Sequence, residues 1–266
     1  METPQPPQSP QPPKKRVLLF FPVFTHVYPR AFENFLRLVN VASRLCPDYV
    51  FDPWVVERSS LVTAMNRAVE TALEVGHYAI IAFDDDCLPV LHDYPLGDPR
   101  RYQVLPRMLT LMEHHPILAG VGYMRGYPHT TTVGREYDHG AALVMDHDAR
   151  GDETLIVKGY HWVEDVDAPE YVAQRDPNGL LTVDFCGVPI LGIRHDVLAK
   201  VPQPLFETRD HLGRASTHDI YFCNKARAHG FQIKVDTHID CGHIVESPVV
   251  NRITRAELKQ LLRPKE

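Results

Sequence analysis

Three consecutive carboxylates, Asp84, Asp85 and Asp86, follow the apolar run of residues 77–83. Adjacent acidic side chains repel one another, and a charge beside a buried segment is costly unless water or a cation stabilises it. Carboxylate oxygens are hard ligands that suit Mg²⁺ or Mn²⁺, and diphosphate oxygens commonly complete the coordination shell of such ions. The cluster therefore predicts a divalent-cation site. The alternative is a plain solvated turn, which the Leu-Pro pair just after the cluster fits.

Strands and helices alternate along the chain up to this cluster. Apolar runs typical of buried strands occupy residues 16–23, 49–56 and 77–83, and apolar side chains at helical spacing occupy residues 30–45 and 59–76. Ser59 or Ser60 can cap the second helix at its start, and Gly76 can cap its end. This order predicts an α/β fold with an open, mixed, mostly parallel sheet flanked by helices. Ligands in such sheets bind beyond the carboxyl ends of the strands, where the three acids are expected.

The second half of the chain predicts further strands and helices. They are hairpin strands within residues 126–180; a strand, a break at Gly187, a strand and a short helix within residues 181–202; a helix from Asp219 to His229; and a strand over residues 231–235. Gly230 is expected to end the long helix. The segment after the last strand, which ends in Cys-Gly-His at residues 241–243, predicts irregular structure.

Composition restricts the class of protein. A net charge of −6 argues against a general nucleic-acid binder, and 44% apolar with 23% charged residues is typical of a globular domain. Five scattered cysteines without a C-x-x-C pair indicate reduced thiols, so a cytoplasmic location is predicted. The apolar runs are too short to form a transmembrane segment.

Both ends of the chain differ from the segment between them. Residues 1–13 consist almost entirely of Pro, Gln and Ser, which predicts a disordered tail. Residues 14–250 are expected to form one domain. Residues 251–266 predict an amphipathic helix, which can dock on the domain, on a partner or on a membrane surface.

Four segments, in this order, resemble the glycosyltransferases of the GT-A fold, in particular bacterial and phage members of the family-2 type. They are LVTAMNRAVETAL, IIAFDDD with its D-x-D sequence, VDFCGVPILGIRHDVL and THDIYFCNKARAHGFQIKVDTHIDCGHI, and the resemblance runs from residue 17 to residue 244. It implies a GT-A, Rossmann-like fold. It also implies an enzyme that moves a sugar from a nucleotide-sugar donor, with a UDP-sugar favoured, to a hydroxyl acceptor. The acceptor stays open among a glycan, a lipid, a small molecule, a protein and a modified nucleobase.

The resemblance assigns the chemistry to particular positions. Asp84 and Asp86 would hold Mn²⁺ or Mg²⁺ against the diphosphate, with Asp86 as the direct ligand and Asp84 nearer the ribose. His243 would be a further ligand, and an imidazole suits Mn²⁺ better than Mg²⁺. Asp219 would take the proton from the acceptor hydroxyl in an inverting transfer. From the residues alone, Ser216 and Asp219 also fit a capping box, in which the carboxylate only satisfies the helix start.

Further positions follow from the same resemblance. It implies nucleotide-sugar contacts for Pro22, Thr25, Arg58, Asn66, Asp84 and Asp85, and acceptor contacts for Asp184, Gly187 and His218. The family usually carries Glu-Asp where this chain has His218 and Asp219, and an Arg-Asn pair where it has Met65 and Asn66. From the residues alone, Gly187 also fits a bulge or bend.

Two other functions fit the same architecture. A nucleotidyltransferase that makes sugar nucleotides shares the sheet and the metal carboxylates. It normally has a Gly-rich phosphate loop after the first strand, whereas residues 20–30 contain no glycine. The other alternative is a non-catalytic protein that binds nucleotides or glycans. The joint presence of the D-x-D sequence, the helix-start aspartate and the histidine counts against it.

Overall fold

The computed structural model describes residues 13–23, 28–57, 60–123, 131–141, 156–208, 217–244 and 249–250. The strands in these residues are β1 (Lys15–Val23), β2 (Tyr49–Glu57), β3 (Ala79–Phe83), β4 (Cys87–Leu91), β5 (Ile117–Gly122), β6 (Val133–Ala141), β7 (Ile156–Trp162), β8 (Leu180–Val183), β9 (Phe185–Cys186), β10 (Ile190–Arg194), β11 (Ile233–Ile244) and β12 (Val249–Val250). The α-helices are α1 (Pro29–Leu45), α2 (Leu61–Val75), α3 (Val104–Met112), α4 (Pro169–Val172), α5 (His195–Lys200) and α6 (His218–Ala228), and a 3₁₀ helix spans Pro99–Tyr102. The strands and helices predicted before the acidic cluster are confirmed.

Nine of these strands form one sheet. Its order is β12-β11-β5-β10-β3-β1-β2, and β4 and β8 also pair with β11. The strands β2, β1, β3, β5 and β11 run in one direction, whereas β10 runs against both of its neighbours. The predicted open, mixed, mostly parallel sheet is confirmed.

Helices cover both faces of this sheet because its central strands are apolar on both sides. On β1, Leu18 and Phe20 pack into one core, which α2, α5 and α6 complete. Val17, Leu19 and Phe21 pack into the other core, which α1 and α3 complete. Alternate side chains of a strand point to opposite faces, so a wholly apolar strand needs a cover on each side.

The ends of the predicted helices are largely where the sequence places them. The hydroxyl of Ser60 accepts a hydrogen bond from the backbone amide of Thr63 at 3.2 Å, which caps α2 at its start. Gly76 ends α2 with a φ of 76°, a left-handed conformation that favours glycine. Helix α6 begins one residue earlier than predicted, at His218, and Gly230 follows its end with a φ of 85°.

The segment expected to be irregular before His243 is the last part of β11, so that prediction is wrong. The strand pairs with β5 as far as Cys241 and with β4 as far as His243, and its register on β5 shifts between Asp236 and Asp240. The polar residues that interrupt the apolar pattern have partners inside the fold. Arg107 of α3, for example, contacts the buried carboxylate of Asp236. The strand therefore continues through a bulge whose polar side chains are paired within the fold.

A second sheet of three strands has the order β7-β6-β9. Strand β6 pairs antiparallel with β7 and with β9, which confirms the hairpin strands predicted within residues 126–180. The predicted tail lies outside the described residues except for Pro13, and the predicted helix over residues 251–266 lies wholly outside them. The proposed domain limits stay a prediction. None of the described helices combines the length and the apolar character needed to cross a bilayer.

Candidate active site

Loops at one edge of the nine-stranded sheet enclose a cavity of about 130 Å³. The parallel strands β3, β5 and β11 end at this edge, and the reversed β10 begins there. Asp84 follows β3, Tyr123 follows β5 and Gly187 precedes β10, and all three line the cavity. His218 and Asp219, at the start of α6, line it as well. The cavity occupies the crevice in which open α/β sheets bind ligands.

The acidic cluster does not form a solvated turn, so that alternative is wrong. Asp86 is 0% and Asp85 6% exposed, and the Leu-Pro pair after them lies inside β4. The backbone fixes the cluster, because the amide of Asp84 donates to the carbonyl of Pro189 at 3.2 Å and the amide of Ile244 donates to the carbonyl of Asp86 at 2.7 Å. One carboxylate oxygen from each acid lies within 4.8 Å of the others. This buried negative charge suits a hard divalent cation.

His243 brings an imidazole to the same carboxylates. Its Nε2 lies 3.1 Å from Oδ2 of Asp86, and its Nδ1 lies 2.8 Å from the carbonyl oxygen of Tyr123. A carbonyl oxygen only accepts hydrogen bonds, so this contact places the proton of a neutral ring on Nδ1. The lone pair of Nε2 then points towards Asp86. Ligating histidines are commonly oriented in this way, through a hydrogen bond from the nitrogen that does not bind the metal.

The thiol of Cys87 lies beside these groups without changing the character of the site. Its Sγ is 3.7 Å from Oδ1 of Asp86. Burial raises the pKa of the Cys87 thiol well above its usual value, and the charges of Asp84 and Asp85 act in the same direction. Without a cation Cys87 is therefore protonated, and it would have to lose that proton to become a ligand. Carboxylate oxygens and an imidazole nitrogen are the donors that need no such change.

Asp219 lies in the first turn of α6 and lines the same cavity as His243. Its Oδ1 accepts a hydrogen bond from the next backbone amide at 2.9 Å. The pKa of the neighbouring His218 is lowered, because burial disfavours the imidazolium more than the charge of Asp219 favours it. His218 is therefore neutral near pH 7. The capping-box alternative involves Ser216, which lies outside the described residues.

Two glycines allow the walls of the cavity to approach closely. A Cβ on Gly187 would lie 2.7 Å from Cβ of Thr132, and a Cβ on Gly122 would lie 2.8 Å from Cγ of Pro189. The amide of Gly187 also donates to the carbonyl of Thr132 at 2.6 Å. Larger residues at either position would push these segments apart. The sequence analysis missed Gly122, Tyr123 and Thr132, although the apolar run ILAGVG of β5 could have indicated another strand that ends at this edge.

Two predicted site residues direct their side chains elsewhere. Asn66 donates to the carbonyl of Phe206 at 2.9 Å and accepts from the amides of Leu205 and Phe206 at 3.1 Å. Asp184 lies 3.0 Å from Nη2 of Arg227 in an ion pair with α6. Neither residue lines the cavity. Their predicted contacts with the donor and the acceptor stay predictions.

The other residues predicted to contact the nucleotide-sugar donor either do not line the cavity or lie outside the described residues. Pro22 lies in β1, in register with Val56 of β2, and does not line the cavity. Thr25 and Arg58 lie outside the described residues. Asp85 is buried within the acidic cluster, so its place there is defined, but its predicted contact with the nucleotide sugar stays a prediction.

The fold and the site together define a Rossmann-like α/β protein whose crevice holds a buried cluster of carboxylates and an imidazole. No family model and no curated protein matches the chain. Among solved structures it is similar to A197 from STIV, with 16% sequence identity, a TM-score of 0.50 and coverage of 89% of this chain and 90% of that one. At this identity the likeness concerns the fold alone.

Weaker similarity extends to UDP-glucose pyrophosphorylase. The structure complexed with UDP-glucose has 10% identity and a TM-score of 0.40, and the apo structure has 10% identity and a TM-score of 0.41. Each match covers 94% of this chain and 100% of the pyrophosphorylase chain. Scores at this level carry no argument about the activity of this chain.

Proposed function

We propose that this protein is a metal-dependent glycosyltransferase that moves a sugar from a nucleotide-sugar donor to a hydroxyl acceptor. One observation carries the proposal. Nε2 of His243 meets the buried carboxylate of Asp86 at the carboxyl ends of the strands. The cavity beside this pair is lined by Asp84, His243 and Asp219. A cation site and a separate carboxylate within one crevice are the parts that transfer from a diphosphate leaving group requires.

The donor atoms present fit a divalent cation of the Mn²⁺ or Mg²⁺ type. Asp86 and His243 would hold it directly, and Asp84 would complete its shell or contact the ribose of the donor. The imidazole favours Mn²⁺ of the two ions. When bound, the cation supplies Lewis-acid stabilisation of the charge on the departing nucleoside diphosphate. Asp85 adds negative charge that retains the cation.

Asp219 is proposed as the general base. Its carboxylate would take the proton of the acceptor hydroxyl while the hydroxyl oxygen forms a bond to the anomeric carbon. The bond from that carbon to the diphosphate oxygen breaks at the same time, so attack from the opposite face inverts the configuration. His218, which is neutral because burial lowers its pKa, adds no competing positive charge beside Asp219 and is proposed to contact the acceptor.

A nucleotide sugar is the proposed donor, with a UDP-sugar favoured by the sequence resemblance. The alternative enzyme on this architecture is a nucleotidyltransferase that makes sugar nucleotides, so formation of a nucleoside triphosphate from the donor and pyrophosphate is the appropriate competing test. The five cysteines are unpaired, which supports a proposed location in a reducing compartment such as the cytoplasm.

The first experiment measures release of nucleoside diphosphate from UDP-, GDP- and CDP-sugars with Mn²⁺ or with EDTA, without an added acceptor. We expect metal-dependent hydrolysis of one donor class. Asp86→Asn should abolish it, whereas Asp98→Asn, at a carboxylate that pairs with Arg100 outside the cavity, should not. Once an acceptor is known, Asp219→Asn should slow transfer by about 10²–10⁴-fold while leaving binding of UDP with Mn²⁺ intact.

Two results would contradict the proposal. Formation of a nucleoside triphosphate from the donor and pyrophosphate, without sugar transfer, would identify a nucleotidyltransferase instead. If no donor is hydrolysed, calorimetry with UDP and Mn²⁺ decides the matter. If UDP binds and Asp86→Asn abolishes the binding, the metal-nucleotide site is retained and the acceptor is required for turnover. If UDP does not bind, the basis for a metal-nucleotide site is removed.

A further inference from the structure

A second cluster of possible metal ligands lies at the other end of the ladder between β4 and β11. His92 follows β4 directly, Asp93 comes next, and His238 lies in the bulge of β11. One donor atom from each of these three residues lies within 4.8 Å of the others. In the antiparallel ladder, Leu91 is opposite Ile239 and Cys87 is opposite His243. His238 and His243, one from each cluster, are five positions apart on β11, or about 16 Å along the strand.

The hydrogen bonds of His92 determine which ring nitrogen faces the carboxylate of Asp93. Its backbone amide and its Nδ1 both contact the carbonyl oxygen of His238, at 3.1 Å and 3.0 Å. A carbonyl oxygen only accepts, so the proton of the neutral ring is on Nδ1. Nε2 then presents a lone pair to Oδ1 of Asp93, 3.3 Å away. Two acceptors that face each other repel unless a cation or a proton lies between them.

His238 directs a ring nitrogen towards the same carboxylate, that of Asp93. Its Nδ1 lies 2.7 Å from Oδ2 of Asp93. The opposite edge of the ring packs against Gly179, where an added Cβ would lie only 2.3 Å from Nε2. The rings of His92 and His238 are nearly parallel, with an interplanar angle of 13° and centroids 5.7 Å apart. Both imidazoles thus direct one nitrogen to one carboxylate.

We propose that His92, Asp93 and His238 bind a transition-metal ion of the Zn²⁺ class. Bonds of about 2.0–2.2 Å in a tetrahedral site separate neighbouring ligand atoms by about 3.3–3.6 Å. The contact of Asp93 with Nε2 of His92, at 3.3 Å, already has this separation, whereas the contact with Nδ1 of His238, at 2.7 Å, would have to lengthen when an ion replaces the proton between the two atoms. Two imidazoles favour Zn²⁺ over Mg²⁺. The hydrogen bond from Nδ1 of His92 to a carbonyl is the outer contact that orients a ligating histidine. The side chains are 28–44% exposed, so an ion and a water ligand can reach the site from solvent.

This ion would join the turn after β4 to the bulge of β11. Asp86 directly precedes β4, and His243 lies near the end of β11. The ion would therefore stabilise the pair of strands that carries the candidate active site without touching it. Its role is structural, and it is independent of the proposed sugar transfer.

The test measures bound zinc by equilibrium dialysis and elemental analysis of the full-length protein near pH 7.5, with excess Mg²⁺ to occupy the oxygen-rich site. The His243→Ala variant, measured in parallel, removes the imidazole of that site. We expect one Zn²⁺ per chain in both proteins. In either background, His92→Ala and, separately, Asp93→Asn should weaken Zn²⁺ binding by at least about tenfold. His114→Ala, at an exposed histidine outside both clusters, should leave binding unchanged.

Thermal unfolding followed by circular dichroism supplies a second readout. Zn²⁺ should raise the unfolding temperature of the His243→Ala variant and should no longer do so once His92 is also replaced. Circular dichroism also shows whether each variant is folded, and Asp93→Asn replaces His92→Ala if the latter does not fold. Absence of bound Zn²⁺ in the wild type overturns the proposal. Binding that persists unchanged in both His92→Ala and Asp93→Asn overturns it as well.

Discussion

Arg107→Met tests the ion pair that holds the bulge of β11. Nε of Arg107 lies 2.5 Å from Oδ2 of Asp236, and Nη2 lies 3.0 Å from Oδ1. The carboxylate is 0% exposed, whereas the arginine side chain is 28% exposed. Methionine keeps the apolar stem and removes the cation. The substitution therefore leaves a buried carboxylate without its charged partner.

The expected loss follows from this burial. Removing one partner of a buried ion pair costs about 3–5 kcal/mol of unfolding free energy. The backbone amide of His238 also donates to this carboxylate at 3.0 Å and stabilises part of the charge. We therefore expect a loss near the lower end of this range, about 3–4 kcal/mol at pH 7.

Urea-induced unfolding followed by circular dichroism at pH 7 measures this loss. Arg37→Met is the matched control, because Arg37 pairs with Glu33 on an exposed face of α1, and its unfolding midpoint should stay close to that of the wild type. Replacing both partners, in Arg107→Met with Asp236→Leu, should recover part of the stability. A loss below about 1 kcal/mol for Arg107→Met, or a double variant no more stable than Arg107→Met, would refute the reasoning.

Three further predictions concern acid stability, packing and a backbone anchor. Burial alone would raise the pKa of Asp52, but its hydrogen bonds, first that from Arg16, lower this pKa below the usual 3.8. The stability that ionised Asp52 contributes to the folded protein is therefore present above that pH and is lost as the pH falls through the lower pKa of the folded state. Arg16→Met should therefore move the acid-unfolding midpoint to higher pH in a circular dichroism titration. Gly120→Ala places a Cβ 2.7–2.9 Å from three neighbouring side chains and should cost about 1–3 kcal/mol in urea unfolding. Asn66→Ala removes three hydrogen bonds to the backbone of residues 205–206 and should cost about 1–3 kcal/mol in the same assay.

Each of these predictions has a clear contrary result. An acid midpoint that Arg16→Met leaves unchanged would show that this ion pair adds no stability. A Gly120→Ala protein as stable as the wild type would mean that the core containing Ile190, Ile239 and Cys241 can shift to accept the methyl group. Asn66→Ala should change stability far more than the KM for the nucleotide-sugar donor. A large rise in KM without a loss of stability would instead support the donor contact predicted from the sequence.

Periodicity and local chemistry were sufficient to predict the frame of the fold. The runs of β1 and β3 are apolar at successive positions, so both faces of these strands need cover. This pattern predicted a sheet between two layers of helices. Ser60 and Gly76 marked the ends of α2 because a cap depends on residues within one turn of the helix. The end of β11 was predicted wrongly for a related reason. Polar residues such as Asp236 interrupt its pattern, and their partners lie elsewhere in the chain.

The sequence by itself determined that three carboxylates follow an apolar strand, that strands and helices alternate, and that an aspartate begins a late helix. These features depend on neighbours along the chain. The family resemblance named His243 among 15 histidines, but only the tertiary structure explains its contact with the acids, because the register of β11 on β4 and β5 places His243 against Asp86. It also brought His92 to His238 across 146 positions of the sequence. Such contacts depend on strand register, which the packing of both cores sets at long range and no local pattern encodes.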